Sequence, residues 1–321
     1  MSHGSTISVV IPTYNRRTLL EKNLIAIQGQ TLPPDRIEVI IVNDGGTDDT
    51  GAMIEAFKPA FRLKYVGQEH RADTPYNVGA RLAENDFILF LDDDVIPHPG
   101  TLEAHVAAHN RFPGPTAVIG SLHWPPDKKL TPFERYVGSS GILMGTHLIK
   151  DPDDVHFKFS AGGNLSIPRE LFIESGGFDS DLDLYGHIDI EFGYRLKKRH
   201  GARLIHSPAA AADHWCCSPF PEFLKQRRLA GATAAIFHEK HPELSRYLKV
   251  DWVRRRGPFA WSVRNCLHAG SALSRPLVPA LESSVLFRPL LHFVYRLCIF
   301  YNFQRGIRDY LSEKKKTIPR D

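Results

Sequence analysis

Four short apolar runs punctuate the first hundred residues, and each stops abruptly at polar ones. ISVVIP, at Ile7–Pro12, ends in Thr13-Tyr14-Asn15, and IEVIIV, at Ile37–Val42, ends in Asn43-Asp44-Gly45-Gly46. A third run lies near Leu63–Val66. The fourth, Phe87–Leu91, leads straight into Asp92-Asp93-Asp94. Uninterrupted runs of this length suit strands buried on both faces. Between them the rhythm changes. Leu20, Leu24 and Ile27 share a helical face within 16–28, and a further helix is expected around Asn77–Glu84. Thr47, or an Asp just after it, can cap the helix that follows the second run. Strands alternating with helices predict an α/β fold, a doubly wound, mostly parallel sheet of βαβ units. Ligands bind such sheets beyond the carboxyl ends of the strands. The polar endings at 13–15, 43–46 and 92–94 are therefore expected to meet in one crevice.

Beyond residue 115 the pattern is less regular, and 115–185 is richer in Gly and Pro. Ile188, Phe192 and Leu196 mark a helix over 188–200 that stops at Gly201, and 220–240 is a second helical stretch. After a break at Pro276 and Pro279, Val285–Leu311 is helix-like and dense in aromatic and basic residues. The expected division is a catalytic, nucleotide-binding domain over 1–217 and a mainly helical C-terminal extension over 218–321. Arg288, His292 and Arg296 recur every four residues, on one helical face. A basic stripe on an apolar helix fits a membrane surface, and it fits equally a face packed on the core or at a homodimer interface.

Composition narrows the class. Of 321 residues, 42% are hydrophobic and 24% charged, which is ordinary for a folded soluble chain. The formal charge of +4 is too mild to imply nucleic acid. Cys216, Cys217, Cys266 and Cys298 show no CxxC spacing. Met1–Thr6 has no basic and apolar leader pattern, and no stretch approaches 18 uninterrupted apolar residues. The expected location is cytoplasmic, with peripheral membrane contact left open.

The sharpest chemical signal is the Asp triplet at the end of an apolar run. In a strand, alternation would place Asp92 and Asp94 on one side. Paired carboxylates there suit Mg²⁺ or Mn²⁺, which are held by a few carboxylates together with phosphate oxygens of a substrate.

SVVIPTYNR, VIIVNDGGTDDT and FILFLDDDVIPHP, in this order and spacing, resemble the family 2 glycosyltransferases of GT-A fold. GGNLSIPRELFIESGGFDSDL and YGHIDIEFGYRL match the same family's acceptor side, so the resemblance covers about residues 5–245. It implies inverting transfer of a sugar from a nucleotide diphosphate to an acceptor hydroxyl. The acceptor would be a glycan, a lipid-linked sugar or a small molecule. Asp92 and Asp94 match the metal-binding DXD motif. Pro12, Thr13, Tyr14 and Asn15 would line the nucleoside pocket, and Asp93 would complete its edge. Asp44 matches the carboxylate that reads the base N3–H, which favours uridine or thymidine. Arg71 and Asn77 stand where further donor contacts are expected, although Tyr76 replaces the Arg usual before that Asn. Asp189 matches the catalytic base of a Glu-Asp pair whose Glu is here Ile188, and Glu191 is the alternative base. His214 would complete the metal site, and Gly162, Gly163 and Asn164 would approach the sugar and acceptor.

Two other classes share parts of this pattern. A nucleotidyltransferase has an acidic metal site but a Gly-rich basic loop after its first strand, where this chain has no glycine. A sugar-nucleotide-binding protein without catalysis is compatible with the missing Glu at 188.

Overall fold

The computed structural model describes residues 4–70, 73–160, 162–183, 185–254, 271, 275–282 and 288–317. Arg71, Arg255, Arg256 and the start of the expected tail helix at Val285 lie outside them. Eight strands form one sheet: β1 (Ile7–Thr13), β2 (Ile37–Asp44), β3 (Arg62–Gln68), β4 (Phe87–Leu91), β5 (Val95–Pro97), β6 (Thr116–His123), β7 (Asn164–Pro168) and β8 (Arg203–His214). The helices used below are α1 (Arg17–Gln28), α2 (Thr50–Ala56), α3 (Pro75–Leu82), α4 (Thr101–Arg111), α5 (Pro132–Ser140), α6 (Arg169–Glu174), α7 (Ile188–His200), α8 (Phe220–Lys240), α9 (Val250–Arg254), α10 (Val278–Glu282) and α11 (Arg288–Thr317).

The strand order is β3-β2-β1-β4-β7-β6-β8-β5. The first four run parallel, as the apolar runs predict, and Val9, Ile11, Val39, Ile41, Leu89 and Leu91 form one solvent-free cluster. β1 pairs with β2 on one side and β4 on the other, so the winding reverses at β1 and opens a crevice at its carboxyl end. Gly79 lets α3 lie directly on the sheet, because a Cβ there would strike the side chain of Val10.

The irregular middle region supplies the other half of the sheet. β7 enters antiparallel between β4 and β6, and β5 pairs antiparallel with β8. Two registers matter for the site. Leu91 opposite Asn164 brings the Gly162-Gly163 turn beside Asp92, and Val95 opposite His214 brings that imidazole next to Asp94.

Backbone contacts divide the chain into two units. One comprises 1–129, 137–180 and 189–216 and contains the sheet. The other comprises 130–136, 181–188 and 217–321, so two segments expected in the first domain belong to the second. Within that second unit α8 and α11 cross with backbones nearly touching. A Cβ on Gly231 would collide with the Phe303 carbonyl, and one on Gly306 with the Arg228 carbonyl. Arg228 also donates from Nε to Asp309 at 2.7 Å. Phe133 packs against Phe220, Phe223 and Tyr295 with ring centroids 5.0–5.1 Å apart. Among the described residues no helix is long and apolar enough to cross a membrane.

Candidate active site

β4 ends at Leu91, and the acidic triplet that follows is a turn rather than more strand, with Val95 N donating to the Asp92 carbonyl at 3.1 Å. Buried Asn23 of α1 fixes this turn, donating to the Asp92 and Val95 carbonyls at 3.1 and 2.8 Å. Strand alternation therefore does not apply, and the reason expected for Asp92 and Asp94 lying together is corrected: a turn, not a strand, sets their positions, and the Asp92 charge still acts on Asp94. Asp93 and Asp94 share Arg16, whose Nη1 lies 2.9 Å from a carboxylate oxygen of each. Thr13 also donates to Asp93, at 2.9 Å. Asp92 accepts from the Tyr76 hydroxyl.

The electrostatics show too much negative charge in too little water. Burial pushes the Asp93 carboxyl up to about 6 against the pull of Arg16. Burial and then the Asp92 charge bring Asp94 to about 6 as well. Tyr76 is held well above its ordinary value by burial, then by Asp92, then by Asp189. Such a cluster is relieved by a cation.

His214 stands at the end of β8, its Nε2 3.8 Å from Asp94 Oδ1. That is too long for a hydrogen bond, yet both atoms could ligate one ion at about 2.0–2.2 Å. Its Nδ1 is buried without a hydrogen-bond partner, and burial lowers its proton affinity, which keeps the ring in the neutral form that ligates metal. Among the described residues no three His, Cys, Asp or Glu side chains are already gathered as a metal cluster. Asp94 and His214, with Asp92 near, still fit a divalent ion that draws its other ligands from a bound diphosphate.

Asp189 opens α7. Its Oδ2 accepts from Gly162 N at 2.9 Å and its Oδ1 from its neighbour Ile190 N at 2.8 Å. Desolvation outweighs these two donors and raises the carboxyl to about 6, with the Asp92 charge adding to the rise. Gly163 lies so close to Asp92 that a Cβ there would come within 2.7 Å of Oδ2. Glu191, the alternative base, is 1% exposed and paired with Arg195 at 3.0 Å, so it is committed to the interior.

The nucleoside side is built by the loops after β1, β2 and β3. Pro12 is half-buried at the end of β1, and Tyr14 is 47% exposed. Asn15, at φ 53°, accepts from Thr47 N at 2.7 Å and Asp48 N at 3.2 Å, bracing one loop on the other. Asp44 ends β2. Gln68 donates to its Oδ1 at 2.6 Å, and His70 Nδ1 lies 2.7 Å from its Oδ2. The His70 ring stacks on Tyr14 with centroids 4.7 Å apart and planes 26° apart.

Two expected contacts have other uses. Both ends of the Asn77 amide bond the backbone of Phe178 at 2.9 Å. Asn164 is buried within the sheet, donating to the Ala210 carbonyl at 2.9 Å and bonded through Oδ1 to His105 at 2.9 Å. Its role is to hold the Gly162-Gly163 turn from behind. Arg71 lies outside the described residues. Arg16, Tyr76, Gln68 and His70 were not singled out as site residues. Each is an ordinary polar residue in a loop or at the end of a helix or strand, and only the fold brings it to the site.

Residues 8–175 match the model of glycosyl transferase family 2. The chain belongs to that family. Two curated relatives of this family 2 chain are validoxylamine A glucosyltransferases of Streptomyces hygroscopicus subspecies, each 33% identical over 227 residues. Those alignments cover 61% of this chain and 48% and 52% of the relatives, so the chain spans about half their length. The Pasteurella multocida hyaluronan synthase is 27% identical over 222 residues, covering 59% of this chain and 22% of that protein. Among solved structures, the mannosyltransferase PcManGT from Pyrobaculum calidifontis, in complex with GDP-Man and Mn2+, superposes with a TM-score of 0.61 at 20% identity. It covers 98% of this chain and 89% of that one. S. aureus TarS 1-349 in complex with UDP-GlcNAc gives 0.55 at 17% identity, covering 96% and 92%. The GT-A fold expected of a family 2 chain is thus the fold observed.

Proposed function

We propose that this chain is an inverting, metal-dependent glycosyltransferase that moves a sugar from a UDP- or TDP-sugar to an acceptor hydroxyl. One observation carries this reading. The acidic turn after β4 is faced by neutral His214 and by Asp189, whose proton affinity is raised to about 6. Asp94 and His214, with Asp92 beside them, would hold a divalent ion, which when bound would offset charge on the departing diphosphate. Arg16, already paired with Asp93 and Asp94, would meet the same phosphates. Asp189 takes the acceptor proton, and the Gly162-Gly163 turn, without side chains, lies against both that base and Asp92.

Structures of this fold bind both UDP-GlcNAc and GDP-Man, so the fold leaves the base open. Asp44, an acceptor at the end of β2, favours a base with an N3–H donor. The Streptomyces relatives are named for glucosyl transfer to validoxylamine A, which supports a hexosyl donor, and another relative is named for hyaluronan synthesis.

The test is calorimetry with UDP, TDP, GDP and CDP, each with and without Mn²⁺, followed by assay of transfer or donor hydrolysis. UDP or TDP should bind tightest, and Asp94→Asn should remove the Mn²⁺-dependent part while the fold persists. Preference for GDP or CDP would refute the base assignment. Undiminished metal-dependent binding in the variant would refute the metal site.

A further inference from the structure

His70 treats its neighbours as a nucleobase would. Its ring lies flat on Tyr14, and its Nδ1 reaches the Asp44 carboxylate at 2.7 Å and the Asp44 carbonyl at 2.9 Å. A planar, aromatic N–H donor stacked on Tyr14 and bonded to Asp44 is what the proposed donor site expects of a uracil. The other carboxylate oxygen accepts from Gln68 at 2.6 Å, so both oxygens of Asp44 are already engaged on the side His70 occupies. The position is built in. Gly45, at φ 78°, has the His70 backbone against it, and a Cβ there would come within 2.8 Å of His70 N. The His70 side chain is nevertheless 48% exposed, so it can leave by rotating outward.

We propose that His70 is an internal stand-in for the nucleobase, and that the donor binds by displacing its imidazole from Tyr14 and Asp44. This rests on the donor site proposed above. A 4.7 Å stack has no room for a second ring between its members. The chain therefore binds nucleotide only in the fraction of molecules whose His70 has swung away, and the apparent affinity is reduced by that fraction. The stack and the hydrogen bond are made by a side chain that is half exposed, so each holds it weakly and the reduction is about two- to tenfold.

The experiment is UDP and TDP titration of the full chain and of His70→Ala, with Mn²⁺ present, alongside NMR of the His70 imidazole nitrogens in the unsubstituted chain. His70→Ala is expected to bind about two- to tenfold tighter. On saturation the His70 Nδ1 signal should move from its carboxylate-bonded position to that of a solvent-exposed ring. Equal or weaker binding by His70→Ala, or an imidazole signal that stays put at saturation, overturns the proposal. If neither chain binds UDP or TDP, the donor reading itself has failed. Binding that is intact but indifferent to His70 removes only the stand-in.

Discussion

Asp189 shows what one carboxylate costs a fold and what it returns. Its ordinary value is 3.8, and the folded chain raises it to about 6. Between those values the native state binds more protons than the unfolded one, so stability falls as pH rises through that window. Above about pH 6 the folded chain carries the full penalty of an ionised, desolvated group. Asp189→Asn removes that penalty and keeps the size, giving up one of the two backbone hydrogen bonds because an amide has a single acceptor oxygen. It should raise Tm at pH 7.5, by about 2–4 °C for each kcal/mol relieved, and the gain should close as pH approaches 4. Transfer by the same variant should fall by at least about 100-fold. In the unsubstituted chain the rate should climb with pH through about 6, as the base loses its proton. Thermal melts from pH 4 to 8, paired with initial rates, check both halves. Retained activity in Asp189→Asn would move the base elsewhere. A lower Tm at pH 7.5 would show that the carboxylate stabilises the fold.

Elements differ in how openly they announce themselves. β1, β2 and β4 are buried on both faces, so apolar residues dominate them, the buried exceptions Ser8 and Glu38 bonding each other, and the runs at Ile7, Ile37 and Phe87 stand out. β8 does not. Its SPAAAADH stretch has small side chains and no period, and pairing with β6 and β5 makes it a strand. β7 is polar at Asn164 and Ser166 because buried His105 and His109 of α4 bond them, a partnership that no local pattern reveals. The carboxylates were legible, since acids at a strand's carboxyl end are conspicuous, but their pairing was not, because it depends on a turn held by Asn23. The tail helix was legible as an amphipathic element. On α11, Leu291, Val294, Tyr295 and Cys298 are buried, whereas Arg288, His292 and Arg296 are exposed beside Leu290 and Phe293, at 48% and 61% exposure. We propose that this mixed basic and apolar face meets an anionic lipid surface near a membrane-associated acceptor. The full chain should co-sediment with phosphatidylserine-containing vesicles at low salt, and Phe293→Glu should weaken that several-fold. No sedimentation by the full chain at low salt would assign the face to a protein contact.

At the scale of the whole molecule, the chain passes between its two units five times, at 129/130, 136/137, 180/181, 188/189 and 216/217. Phe133 and Tyr136 lie in the first excursion and find their aromatic partners in the helices after 217. A chain ended at residue 217 would keep those two rings and lose Phe220, Phe223 and Tyr295. It should bind a hydrophobic dye and give a poor soluble yield, and Phe133→Ser with Tyr136→Ser should recover part of that yield in the shortened chain. A well-behaved fragment without those changes would refute the dependence. The interleaving also bears on ancestry. A tail of this kind cannot be inherited as a loose appendix and traded between lineages by one crossover near residue 217. Residues 130–136 and 181–188 must change in step with it, and the second of those stretches ends immediately before Asp189. Diversification of the tail therefore writes into the sequence adjoining the proposed base, and the two are expected to drift together.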